Sequence, residues 1–287
     1  MIVMLQYLLS DKMNRIVFLG TGGGRHMMFS QVRKTGGMYF ELGGDKNALK
    51  FIMDPGPGSL VNARQSGLKA ENVQGVVLSH HHIDHSTDAN VWLDGLEKPF
   101  LIAEEHCVMD KTELGEKDYD YYPCISPYQR KKVANLHAVK DRSAVKMGAV
   151  RFEAVKSDHY GPTVGFVIST DKFRIGYTSD GRHYSGQENL YEGCDIMIMN
   201  VLVPKGEETE EKKHMSIDEA IKFIRGMKKK PKLVILQHFS LWMLRANLWK
   251  QEKIMKDATG VTVIHADDFM QVDIDKVLSD MPQADEE

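Results

Sequence analysis

One stretch constrains this chain more than any other: Leu78-Ser79-His80-His81-His82-Ile83-Asp84-His85. It combines four imidazoles with a carboxylate, the donor types that suit zinc, iron and manganese. The run before it, Gly75 to Leu78, is apolar and β-branched and reads as a buried strand. The run after it, Ser86 to Leu96, reads as a helix with Ser86 or Thr87 as N-cap. The imidazoles therefore lie on a turn at the C-terminal edge of a sheet, where α/β folds place their chemistry. An accidental run of surface histidines is the alternative, and it would not account for the partners that follow downstream.

The spacing has geometric content. In an extended exit from a strand, positions two apart point the same way, so His80 and His82 can hold one ion while His81 points to the other side. Asp84 and His85 open the helix and can hold a second ion. The pattern His80-x-His82-x-Asp84-His85 resembles the HxHxDH signature of the metallo-β-lactamase fold hydrolases, in which it supports two metals. The resemblance implies an α/β fold, an αββα sandwich of two mixed β-sheets flanked by helices. It also implies the remaining ligands. His159 follows the strand expected over Gly148 to Val155 and would complete a site with His80 and His82. His238 follows the strand over Leu233 to Leu236 and would complete a second with Asp84 and His85. Asp180 follows Phe173 to Thr178 and would bridge the two metals. β-Lactamases proper usually carry cysteine or serine there, so the resemblance points to the phosphodiesterase, thioesterase and lactonase branches. Asp54, closing the strand over Phe51 to Met53, would orient a ligand imidazole through the ring nitrogen facing away from the metal; a turn or helix-capping aspartate is the alternative.

The last third narrows the resemblance. His214 opens an amphipathic helix whose Ser216 and Glu219 form a capping box. That histidine, the triplet His238-Phe239-Ser240, the segment Ala266-Asp267-Asp268-Phe269 and the opening Leu19-Gly20-Thr21-Gly22-Gly23-Gly24 are similar to the ribonuclease Z type of tRNA 3′-processing endonucleases, over Arg15 to Val272. The similarity implies two catalytic residues: Asp84, orienting a hydroxide shared by the metals, and His214, assisting the leaving group. Two divalent ions are implied, zinc first, with manganese or iron as alternatives. One departure stands out. Ribonuclease Z usually carries a tRNA-binding arm between its third and fourth metal motifs, whereas Gly161 to Ser179 leaves room for two strands and a turn. The expected substrate is thus a small phosphodiester or short unstructured RNA rather than precursor tRNA. A lactonase, thioesterase or weak β-lactamase is the second reading, and a metal-binding scaffold without activity the third. The glycine loop after Leu19 lacks dinucleotide spacing and reads as a tight backbone turn near the metals.

The 287 residues suit a single domain, with residues 1–12 as an extra leader and 104–148 as a cap carrying the aromatic run Asp118-Tyr119-Asp120-Tyr121-Tyr122-Pro123. Hydrophobic residues make up 42% and charged residues 27%, enough for a sizeable core. A net charge of −3 supplies no bulk attraction for nucleic acid or anionic membrane. The apolar patch in Met1 to Lys12 is too short to span a bilayer and has no signal-peptide flanks. Cys107, Cys124 and Cys194 are odd in number and widely spaced, which argues against a disulfide framework and fits a reducing cytoplasm. A homodimer is compatible with all of this. His26, His106, His137 and His183 are not expected to bind metal.

Overall fold

The computed structural model describes residues 14–44, 47–116, 122–207 and 213–281; the expected leader over residues 1–12 and the stretch Asp118 to Tyr121 lie outside them. The chain first builds a sheet from β1 (Arg15–Phe18), β2 (Met38–Leu42), β3 (Leu49–Met53), β4 (Gly75–Leu78), β5 (Phe100–Glu104) and β6 (Asn135–Val139). It then builds a second from β7 (Ala144–Met147), β8 (Val150–Lys156), β9 (Val164–Ser169), β10 (Arg174–Tyr177) and β11 (Ile196–Val203). A short β12 (Met215–Ser216) pairs with β11, and β13 (Leu233–Gln237) and β14 (Thr262–His265) extend the second sheet. Finally β15 (Gln271–Asp273) returns to pair with β1. The orders are β15-β1-β2-β3-β4-β5-β6 and β14-β13-β11-β10-β9-β8-β7, both mixed parallel and antiparallel.

Strand periodicity produces the layers. In β4, Val77 points between the sheets, while Val76 and Leu78 pack outward with Trp92 of the helix Ala89–Gly95. In β11, Ile196 and Ile198 face inward, while Met197 and Met199 pack outward with Phe223 of the helix Ile217–Gly226. Three apolar layers thus separate four layers of secondary structure, the metallo-β-lactamase αββα sandwich. Phe51 is central to the inner layer: it stacks on Phe40 at 4.9 Å and meets Phe152 of the other sheet edge-on at 5.2 Å. Phe51→Ala should lower stability by about 3–5 kcal/mol, read as a fall in the denaturation midpoint.

The elements depart from the sequence reading in four places. The helix expected from Ser86 starts earlier, as a turn over Ile83–Ser86, and Ser86 is no N-cap: its hydroxyl donates to the carbonyls of His81 and His82. The helix expected over Leu241 to Lys256 is two, Leu241–Arg245 and Leu248–Thr259, separated at Asn247, whose φ of 65° is left-handed. Within 104–148, β6 and β7 belong to the two sheets themselves. A helix, Ile274–Asp280, follows β15 with Asp273 as its cap. The capping box of Ser216 and Glu219 is formed. All three cysteines are free thiols. Among the described residues no helix is long and apolar enough to cross a membrane.

Candidate metal centre

The C-terminal ends of β3, β4, β10, β11 and β13 converge on one cluster of imidazoles and carboxylates. Parallel pairing of β3 with β4 sets Met53 opposite Val77, so the residues just beyond, Asp54 and Ser79, meet. Asp54 adopts a φ of 49°, and its carboxylate accepts from the Ser79 N–H at 2.7 Å, the Ser79 hydroxyl at 2.6 Å and the Tyr177 hydroxyl at 2.7 Å. Its Oδ2 also lies 3.2 Å from His85 Nδ1. A proton held there leaves the His85 Nε2 lone pair aimed into the cluster, the orienting part expected of Asp54.

The sequence-predicted residues fall into overlapping groups whose ligand atoms lie within 4.8 Å of one another: His80, His82 and His159; Asp84, His85 and His238; His80, His85 and Asp180; His159, Asp180 and His214. Asp180 is central. Its Oδ2 is 3.4 Å from His85 Nε2, 3.8 Å from His159 Nε2 and 3.6 Å from His214 Nδ1, and its Oδ1 is 3.4 Å from His238 Nε2. His85 Nε2 and His238 Nε2 stand 3.0 Å apart, and His159 Nε2 and His82 Nδ1 3.1 Å. His80 is fully buried, and its Nε2 has no hydrogen-bond partner in the protein. Bare imidazole nitrogens facing each other in pairs, one of them orphaned, are arranged as ligands around cations, and the donor set fits two divalent ions. His81 belongs to none of these groups and lies beside the cleft above them.

The electrostatics agree. Burial depresses His80 far below the usual imidazole range, lowers His82 to about 4 and lowers His159, so these rings are neutral and able to ligate. Burial would lower His85 too, but the Asp180 and Asp84 carboxylates outweigh it and raise it. Burial would raise Asp180, but His238, His85 and His214 hold it well below the usual carboxylate range. The same two carboxylates that raise His85 would favour a cation beside its Nε2.

Several supporting residues escaped the sequence reading. Asn200, the polar interruption in β11, donates to Asp180 Oδ1 at 2.8 Å and accepts from Gln237, the residue before His238, at 2.8 Å. Asn200 also reaches the Tyr177 hydroxyl at 3.2 Å, so one buried network joins Asp180 to Asp54. The glycine loop closes over the other side. Gly24 N–H donates to Asp84 Oδ2 at 2.8 Å, and a Cβ on Gly23 would lie 2.2 Å from the His238 ring. Gly23→Ala should therefore push His238 away and cut affinity for one of the two ions about 10–100-fold, measured by metal content after dialysis. His159 Nδ1 lies 2.8 Å from the Lys213 carbonyl. The histidines left unassigned lie elsewhere: His183 pairs with Glu188 at 2.9 Å, and His106 packs beside Glu104 and Glu116.

Comparison with known proteins agrees with this geometry. An uncharacterized protein of Methanocaldococcus jannaschii is 27% identical over 252 residues, covering 88% of this chain and 91% of that one. A ribonuclease Z of Methanopyrus kandleri is 30% identical over 155 residues, covering 54% of this chain and half of that enzyme's length. Among solved structures, the metallo-β-lactamase fold protein YhfI of Bacillus subtilis superposes with a TM-score of 0.69 at 18% identity, covering 92% of this chain and 99% of that one, a likeness of fold. A family model described as a β-lactamase superfamily domain matches residues 50–239, from β3 through His238. With the sandwich and the convergent imidazoles and carboxylates, that match places the chain in the β-lactamase superfamily domain family.

Proposed function

We propose that the protein is a dinuclear-metal-dependent phosphodiesterase similar to ribonuclease Z in its chemistry. The observation that carries this reading is the position of Asp180, shared between the two sides of the cluster, with His214 3.6 Å from its Oδ2 at the cleft. His80, His82 and His159 would hold one cation, Asp84, His85 and His238 the other, and Asp180 both. Two such ions, zinc for preference, would lower the pKa of a water and offset charge developing on a phosphoryl oxygen. The chain's own groups do the rest. Asp84, held by the Gly24 N–H, orients the attacking water through its carboxylate. His214 faces the leaving oxygen. Burial holds its ring down to about 4 in the free protein, and an arriving phosphate anion would raise it, which suits a donor that takes up its proton as substrate binds.

A cleft of ≈380 Å³ opens above the cluster, lined by Arg25, Met28 and Ile83 as well as Asp84, Asp180 and His214. Arg25 has no ion-pair partner among the described residues and favours an anionic substrate. Met28 and Ile83 supply an apolar wall, the specific feature that favours the second reading, a lactonase, thioesterase or weak β-lactamase. Between His159 and Asp180 the chain forms the β9–β10 hairpin alone, so short RNA and small diesters are favoured over precursor tRNA.

The deciding experiment is metal content together with turnover of bis(p-nitrophenyl) phosphate, a lactone and a cephalosporin by one preparation. Two ions per chain with the phosphodiester turned over fastest supports the proposal; preference for the lactone overturns it. In the same assay His80→Ala should lose metal and His81→Ala should keep it. Equal losses would show that the ligand register is wrong.

A further inference from the structure

A second cavity, of ≈440 Å³, lies outside the metal cluster, where the two helices separated at Asn247 meet the end of β14. Its lining includes Arg33, Arg245, Asn247, Trp249, His265 and Asp267. We propose that it binds a nucleoside phosphate, with the base stacked on Trp249 and the phosphate on Arg245, and that this is the flanking nucleotide of a single-stranded nucleic acid whose scissile bond lies at the metal cluster.

Four observations support the assignment. Trp249 is 70% exposed, although its indole is among the largest apolar surfaces the chain owns. It meets His265 edge-to-face, centroids 4.4 Å apart at 87°, and His265 is itself anchored through Nδ1 by Glu252. The indole is thus braced from one direction and open from another, as a stacking platform for a base must be. Arg245 is exposed on the same wall and has no ion pair among the described residues, leaving its guanidinium free for a phosphate. Arg33 is differently placed: Asp267 at 2.8 Å offsets its charge, and the exposed Asp267 carboxylate can still accept from an amino group or a ribose hydroxyl. Asn247 accepts the Lys250 N–H with its Oδ1, which leaves its amide N–H groups for a base edge.

Position ties this cavity to the cleft. In the parallel pairing of β13 and β14, Leu236 stands opposite His265, and His238 lies two residues beyond Leu236. His265, on the cavity wall, is therefore one strand across and two residues back from His238, roughly 8 Å between their Cα positions along the same sheet edge. One segment lines both spaces: Gly24 and Arg25 border the cleft, and Arg33 borders the cavity. Arg33 lies between them, its guanidinium 5.5 Å from the ring of Phe239, next to His238, and donating to Thr21 Oγ1 at 2.8 Å. A chain of nucleotides crossing Arg33 would reach both. The uncompensated Arg245 beside Trp249 also supplies locally what the overall charge of −3 does not.

The role of the cavity in substrate choice rests on the phosphodiesterase reading, but its occupancy can be measured without turnover. The test is quenching of tryptophan fluorescence in the intact protein by adenosine monophosphate and by a phosphorothioate-linked tetranucleotide that resists hydrolysis. Both should quench. Trp249→Leu should abolish the response, and Arg245→Gln should weaken binding about tenfold or more. Both variants should hydrolyse bis(p-nitrophenyl) phosphate at the parental rate. Tenfold tighter binding of the tetranucleotide would identify a flanking nucleotide; equal affinities would identify a free mononucleotide as the occupant and overturn the substrate role. Absence of quenching, or quenching unchanged in both variants, would overturn the site itself. Quenching by a protein that hydrolyses no phosphodiester would keep the binding site and remove the functional reading instead.

Discussion

Asp180→Ala is expected to fold, to bind fewer than two ions, and to lose about 10²–10³-fold in turnover of a phosphodiester, the scale on which removal of a group that stabilises transition-state charge is felt. Asp180 is 1% exposed and faces nitrogens of His85, His159, His214 and His238, whereas the Asp84 carboxylate faces His85 and His238 alone of these four. Its loss also leaves the Asn200 amide without its 2.8 Å partner, an unpaired buried donor worth about 1–3 kcal/mol of stability. Thermal unfolding would therefore register a modest decrease while turnover collapses. Metal analysis and kinetics on one preparation check the prediction. Two tightly held ions and near-parental turnover would rule out a bridging carboxylate.

The second large effect concerns His214 and depends on the leaving group. His214→Ala should slow an alkyl phosphodiester about 10²–10⁴-fold, the usual contribution of a general acid, and slow the p-nitrophenyl ester by little, because p-nitrophenolate departs without protonation. The ring belongs to a possible ligand group with His159 and Asp180, which gives a competing role as a metal ligand. The two roles separate cleanly: loss of a ligand lowers bound metal and slows both esters alike, whereas loss of an acid leaves the metal in place and discriminates between them. In the free protein the ring is neutral at pH 7, since burial lowers it to about 4 despite the nearby Asp180. An acid role therefore requires uptake of a proton with the substrate, and the alkyl ester rate should fall as pH rises through the elevated value in the complex.

What could be read from neighbours in the chain was largely read. The run Gly75 to Leu78 is the strand β4 within its expected bounds, and His80 and His82, two apart on its exit, come together with His159 while His81 does not. The capping box at Ser216 and the short β9–β10 hairpin were likewise encoded within a few residues. The helix break was not: Leu241 to Lys256 is helix-compatible throughout, and nothing in its periodicity marks Asn247 as left-handed. That break is also what shapes the cavity carrying Trp249.

Local sequence thus determined the strands and which side chains stand at their ends, because periodicities of two and of 3.6 act on adjacent residues. Tertiary structure alone decided which distant groups support them. Gly23 must lack a side chain because β13 delivers His238 against it from 215 positions away, and Asp54 holds His85 because β3 and β4 pair in parallel while β10 presents Tyr177 from the other sheet. Such contacts depend on strand order and sheet packing, which bring together residues whose separation in the chain leaves no periodic trace.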